Sequence, residues 1–294
     1  MENRKYCLNL GLLKINHMRF RFFVLLALAP AVFCAAKGGK LPELTVMSYN
    51  IRTGDANDGT NSWQFRYPAT AIMIDDQKPD VMGVQEALPY QLNYIEEFCR
   101  GYKYVGESRD GGKKKGEHAA IVYNKKTVSV LKWGTFWLSE TPDEPSVGWD
   151  AAFRRTATWA LMKSKVSGKQ FIFVNTHLDH QGAAARENGI RLIMERIKEI
   201  NRKSLPVVLV GDFNAAVSDP ALSAMSDSMK NARRIAAETD AVGTFHDWGK
   251  ASSMIDHIFY SGFRSCTLFE TVTDSYSGRR FISDHYPVKA VLVF

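Results

Sequence analysis

The stretch TATWALMKSKVSGKQFIFVNTHLD, residues 156–179, decides the fold. It holds two runs of strand-forming residues, 156–163 and 170–178, joined at Ser167-Gly168-Lys169. Polar residues and a glycine between two such runs mark a hairpin. Downstream, residues 183–202 set Ile190, Ile193, Met194, Ile197 and Ile200 on one face at helical spacing. Then LPVVLVGDFN (205–214) reads as a buried strand that ends in polar residues. Working outward, LTVMSYN (44–50), DVMGVQE (80–86), HAAIVYN (118–124), VSVLKWGTFWL (128–138), MIDHIFY (254–260) and YPVKAVLVF (286–294) are further strands. Residues 65–77 read as a helix beginning beside Pro68, and another helix runs on from residue 86 to about 99. Strands arrive both in hairpins and between helices. The expected fold is therefore a four-layered α/β sandwich: two packed mixed β-sheets with helices on the outer faces. No repeat, low-complexity tract or Pro/Ser-rich linker divides residues 41–294, so a single domain is expected there.

The N-terminus reads differently. MRFRFFVLLALAPAVFCAA (18–36) has a basic end, an apolar stretch and a small-residue close at Cys34-Ala35-Ala36. That is the pattern of a secretory signal peptide, with residues 1–17 as an upstream extension. It is too short, and too broken by Pro30, for a stable membrane span. Cleavage near Ala36 would make the protein periplasmic or extracellular. It would also remove Arg4, Lys5, Lys14, Arg19 and Arg21 against Glu2, so the formal charge of +7 becomes +3. A charge that small argues against a strongly basic duplex binder. The one dense basic run, Lys113-Lys114-Lys115, is flanked by glycines and reads as a solvated loop. Only Cys99 and Cys266 would remain, without metal-site spacing.

One pattern recurs along the chain: a hydrophobic strand stops and polar residues follow at once. It occurs in SYNIR (48–52), GVQE (83–86), NTHLD (175–179), GDFN (211–214), SMIDH (253–257) and SDH (283–285). Strand ends gathered at one edge would collect Asn50, Glu86, His177, Asp179, Asp212, Asn214, Asp256, Asp284 and His285. So many carboxylates in one cleft repel each other unless a cation neutralises them. With oxygen and imidazole donors and no thiolate, the implied ion is Mg²⁺, with Mn²⁺ or Ca²⁺ as substitutes.

The set SYNIR, VQE, NTHLD, GDFN, IDHIF and SDHYPV resembles the endonuclease/exonuclease/phosphatase superfamily, the family of deoxyribonuclease I, over residues 44–294. The stretches 50–66 and 136–160 resemble an exported bacterial branch whose substrates are poorly defined. The resemblance implies a phosphoesterase with these roles. Glu86, Asn50 and Asp284 hold the metal. Asp212 orients and deprotonates water, and Asn214 binds the phosphate or its transition state. His285 donates to a phosphoryl oxygen while Asp256 keeps that imidazole charged. His177 contacts the phosphate from the opposite side, braced by Glu117. Arg155 adds a guanidinium, a role for which Arg154 is the alternative. Asp179, His180 and Arg186 are further candidates for substrate contact. His257 is expected to be structural, as are His118 and His246, although His246 is also a candidate for the site's rim. The expected reaction is metal-assisted, in-line attack of water by a monomeric hydrolase on a phosphodiester, either nucleic acid or small. The alternatives are a phosphomonoesterase or phospholipase C-type hydrolase on inositol, sugar or lipid phosphates, and a non-catalytic binding module of the same fold.

Overall fold

In a computed structural model the described residues are 41–294; the expected signal and extension, residues 1–36, lie outside them. The first sheet contains β1 (Glu43–Asn50), β2 (Val81–Ala87), β3 (Tyr102–Val105), β4 (His118–Asn124), β11 (Ser265–Thr271) and β12 (Val288–Val293). Its strand order is β11-β12-β1-β2-β4-β3. The second contains β5 (Val128–Trp137), β6 (Thr156–Ser164), β7 (Gln170–His177), β8 (Val207–Asp212), β9 (Lys230–Asn231) and β10 (Asp256–Ser261), in the order β5-β6-β7-β8-β10-β9. The decisive hairpin forms as read: β6 pairs antiparallel with β7, from Ala157↔Thr176 to Lys163↔Gln170. The helix α3 (Ala183–Ile200) then carries the chain over to β8, which runs parallel to β7. In the first sheet, β1 and β2 are likewise parallel, with α1 (Trp63–Gln77) between them.

Burial follows the layers. Val46, Val81, Ile121, Phe171, Phe173, Val208 and Ile258 fill the space between the sheets. Met47, Met73, Ile74 and Met82 lie in the cluster that joins the first sheet to α1 and to α2 (Pro89–Phe98). Ile172, Ile190, Ile193, Leu209 and Phe213 join the second sheet to α3. The mixed four-layer sandwich expected from the sequence is thus the one observed. The sheets approach closely near the future site. A Cβ on Gly83 of β2 would lie 2.5 Å from Asn175 Oδ1 of β7, so only glycine fits there. Asn175 in turn donates to the Val84 and Ala120 carbonyls across the gap, at 3.0 and 2.8 Å.

Two expectations are corrected. Helix α1 begins at Trp63, not beside Pro68, and Pro68 stands inside it. Pro68 faces solvent, so water can satisfy the carbonyl its missing N–H leaves unbonded. Strands β3, β9 and β11 were not foreseen. All three lie at sheet edges. Among the described residues, no helix is long and apolar enough to cross a membrane.

Candidate active site

Strand register assembles the site. Parallel pairing of β7 with β8 sets His177 beside Asp212, and antiparallel pairing of β8 with β10 sets Asp256 on its other side. Asp256 begins its strand rather than ending it, because β10 runs opposite to β8. The facing sheet supplies Asn50 at the end of β1, Glu86 near the end of β2, and Asp284 and His285 from the loop before β12. Asn50 ties the two sheets together. Its Nδ2 donates to Glu86 Oε1 and to Asp212 Oδ2, both at 3.0 Å, while its Oδ1 accepts from the Arg52 backbone at 3.0 Å. The Ser283 hydroxyl donates to the Asn50 carbonyl at 2.7 Å and so draws the 283–285 loop against β1. A cleft of about 400 Å³ opens over these groups.

Three residues lining the cleft have left-handed backbones without being glycine: Arg52 (φ 59°), Glu86 (φ 59°) and Asn214 (φ 47°). Such strain costs on the order of 1–3 kcal/mol each and collects where side chains must be aimed. Glu86 stands at an irregularity in the pairing of β2 with β4, which turns its carboxylate toward the Thr53 N–H at 2.9 Å. Asn214 is held by its N–H to Asp212 Oδ1 and by Nδ2 to the Leu178 carbonyl, both at 2.9 Å.

The opening of the 52–54 loop is set by a buried cation. The Arg66 guanidinium is fully buried and donates to the carbonyls of Ile51, Arg52, Asn61 and Ile282. Burial pushes its pKa below the ordinary range; Tyr49, Asp284 and Asp58 act against that shift. One side chain thereby fixes the segment after Asn50 and the segment before Asp284.

The imidazole of His285 has a defined job. Its Nδ1 meets Asp256 Oδ2 at 2.8 Å, and its Nε2 lies 3.7 Å from Asp212 Oδ2. Burial alone would discharge the ring, but Asp256 and then Asp212 outweigh it and raise the pKa to about 10. Burial and then the nearby Asp256 push Asp212 up to about 7, the range of a competent general base. His177 differs. Burial and the Arg155 guanidinium drive its pKa well down, so it stays a neutral imidazole, with Nε2 3.6 Å from Asp212. One carboxylate able to take a proton, one imidazolium able to donate and several guanidiniums around one cleft make an arrangement suited to hydrolysing an anionic ester.

Residues 47–285 match the endonuclease/exonuclease/phosphatase family. The chain belongs to that family. A crystal structure of a family protein from Bacteroides thetaiotaomicron has a TM-score of 0.82 and 38% identity, covering 87% of this chain and 99% of that one. A mannosyl-6-phosphatase from the same organism is similar at 39% identity and a TM-score of 0.81, covering 85% of this chain and 100% of its own. An uncharacterised protein of Acanthamoeba polyphaga mimivirus is 25% identical over 249 residues, 79% of this chain and 92% of that protein.

The endonuclease/exonuclease/phosphatase family is divalent-metal dependent, and the site fits such an ion. Glu86 and Asp284 both line the cleft as hard oxygen donors. Burial raises the Asp284 pKa, and the charge of Glu86 raises it further, a strain that a dication relieves. Asp284 already draws a cation, Arg52 Nη1, to 3.6 Å. Asp212, Asp256 and His285 also offer donor atoms within 4.8 Å of one another. That trio suits an ion less well, because His285 commits Nδ1 to Asp256 and a protonated ring has no lone pair to give.

Several expected roles need correction. Asn50 is fully buried and does not line the cleft; it orients Glu86 and Asp212 instead of offering a free oxygen. Asp179 lies behind the cleft. Its carboxylate is occupied by Arg155 Nε at 3.2 Å and by the Gln181 and Gly182 N–H groups at 3.0 and 2.8 Å. Arg186 does not reach the cleft either and donates to the Asp179 carbonyl. Glu117 pairs with Arg109, at 2.9 and 3.0 Å, rather than with His177. Burial, against the pull of Arg109, raises its pKa to about 7. Asp256 stands behind His285, and His180, Arg155 and Asn214 line the cleft. Arg154 points elsewhere, to Asp110. His257 is structural, bonded to the Ala215 carbonyl at 2.9 Å. His246 packs among Phe281 and Tyr286, and His118 bonds backbone carbonyls. The sequence reading missed Arg52, Arg109, Phe153 and Phe245 in the lining. Arg109, Phe153 and Phe245 sit outside the strand-end motifs, although Phe153 directly precedes the Arg154-Arg155 pair, while Arg52 closes the SYNIR motif and was given no role.

Proposed function

We propose that the protein is a divalent-cation-dependent phosphomonoesterase that releases phosphate from a sugar phosphate. The observation that carries this is charge. Arg52, Arg155 and the His285 imidazolium share one cleft with Glu86, Asp212 and Asp284, and with a dication held by those carboxylates the cleft suits the dianion of a monoester, where a diester presents a single charge. The similarity to a mannosyl-6-phosphatase supports the same choice of leaving group. It moves the reading from the phosphodiester favoured by the motifs to the monoester.

Within the cleft, Arg155 and Arg52 would grip the equatorial oxygens. His285 would donate from Nε2 to the oxygen on which charge builds, while Asp256 keeps the ring charged and correctly turned. Asp212 would accept the proton of the attacking water, with Asn50 and the Asn214 N–H fixing its two oxygens. His177, neutral, would add a single N–H. Glu86 and Asp284 would hold the cation, which when bound polarises the phosphoryl oxygen and stabilises the leaving alkoxide.

Phosphate release from mannose 6-phosphate tests the proposal, run beside bis-p-nitrophenyl phosphate and single-stranded DNA, each with Mg²⁺ or EDTA. The sugar phosphate should turn over at least tenfold faster than either diester, and EDTA should stop it. Dominant diester cleavage with no inorganic phosphate released would overturn the monoester reading.

A further inference from the structure

One wall of the cleft has no part in the chemistry just described, yet it is built with care. The Phe153 ring, 48% exposed, stacks on His180 at a centroid distance of 5.7 Å and an interplanar angle of 19°. The Arg109 guanidinium lies 4.9 Å over the same ring, and that of Arg155 lies at 5.8 Å. Arg155 Nη2 also donates to His180 Nδ1 at 3.2 Å. Since a guanidinium only donates, Nδ1 must accept, and the ring's proton sits on Nε2. The backbone beneath is anchored. The Phe153 N–H reaches Asp179 Oδ2, and Asp150 Oδ1 accepts from Ala185 in the first turn of α3 at 2.7 Å. A half-exposed phenyl ring held this firmly beside a charged site is not there for the core.

We propose that Phe153, His180 and Arg109, with Glu117 behind Arg109, form the subsite for the leaving alcohol and accept a sugar ring. The assignment rests on the phosphomonoesterase reading and names the part of its substrate that the phosphate-handling residues do not touch. The chemistry matches on two counts. A pyranose has an apolar C–H face, which an aromatic edge can cover, and a rim of hydroxyls. Beside the Phe153 ring stand the His180 Nε2–H and the Arg109 guanidinium, donors that neighbouring hydroxyls can meet, while Glu117 holds Arg109 in place through both of its oxygens.

Steady-state kinetics on mannose 6-phosphate and on glycerol 3-phosphate, whose alcohol has no ring, test the subsite. Loss of a few tens of Å² of apolar contact weakens binding roughly two- to tenfold. Phe153→Ala should therefore raise KM for mannose 6-phosphate about two- to tenfold, leave kcat within about twofold, and leave glycerol 3-phosphate kinetics unchanged. Phe153→Leu, which keeps apolar bulk at an exposed position but removes the aromatic ring, should act in the same direction with a smaller rise and guards against a folding defect in the first variant. An unmoved KM for the sugar phosphate in both variants overturns the subsite, as does an equal rise for glycerol 3-phosphate. A wild-type protein that releases no phosphate from any sugar phosphate overturns the monoester reading, and the subsite with it.

Discussion

Asp212→Asn should fold normally and lose about 10²–10⁴-fold in kcat, the range that general-base help supplies. The substitution is nearly isosteric. The remaining oxygen can still accept from Asn50 Nδ2 or from the Asn214 N–H, so the sheets stay tied. What disappears is the group that takes a proton from water. A second consequence follows from the neighbouring ring. Asp212 is one of the charges that raise the His285 pKa, so its removal moves that pKa down, although Asp256 remains to hold it. Turnover at saturating sugar phosphate, with thermal unfolding measured on the same samples, checks the point. A kcat near wild type would mean that water is activated by another group.

The largest expected effect on stability lies outside the catalytic groups. Arg66→Met removes a fully buried guanidinium whose partners are backbone carbonyls of Ile51, Arg52, Asn61 and Ile282. Methionine fills most of the space but donates nothing. Hydrogen bonds from a charged group contribute about 1.5–3 kcal/mol each, and carbonyls left dry cost more than carbonyls never paired. Some water will enter and recover part of the loss. We expect a destabilisation of about 3–5 kcal/mol, which for a domain of this size lowers Tm by roughly 6–20 °C. The segments that loosen are those carrying Arg52 and Asp284, so more metal should also be needed for half-maximal activity. An unchanged Tm would show that the four carbonyls are satisfied without Arg66.

The sequence revealed central strands and strand ends well, for a physical reason. Strands β1, β7 and β8 are covered on both faces, so their apolar runs are nearly continuous and the first polar residue marks where the sheet stops. That is why Asn50, Glu86, His177 and Asp212 were legible as neighbours. Edge strands carry a weaker signal: Tyr102–Val105 is only four residues long, and Ser265–Thr271 is partly buried and interrupted by a register shift between Cys266 and Leu268, so neither shows a sustained alternation. The same logic explains the misplaced residues. Asp179 follows a strand end just as Asp212 terminates one, and only the tertiary fold shows that Arg155 and two backbone N–H groups already occupy its carboxylate. Arg66 looks like any helical arginine until four carbonyls are found around it. Phe153 and Arg109 belong to loops without periodicity, and their meeting depends on how two distant turns close over the cleft.

The central claim is that Glu86 of β2 and Asp284 of the loop before β12 hold one hard dication next to Asp212 and His285. Mn²⁺ binding to the purified protein, followed by the loss of the free-ion electron paramagnetic resonance signal, tests it most directly. Wild type should take up Mn²⁺ in competition with Mg²⁺, and Glu86→Gln should weaken that uptake at least tenfold while Asp256→Asn changes it little. Undiminished uptake by Glu86→Gln, with loss in Asp256→Asn instead, would place the ion among Asp212, Asp256 and His285 and contradict the account.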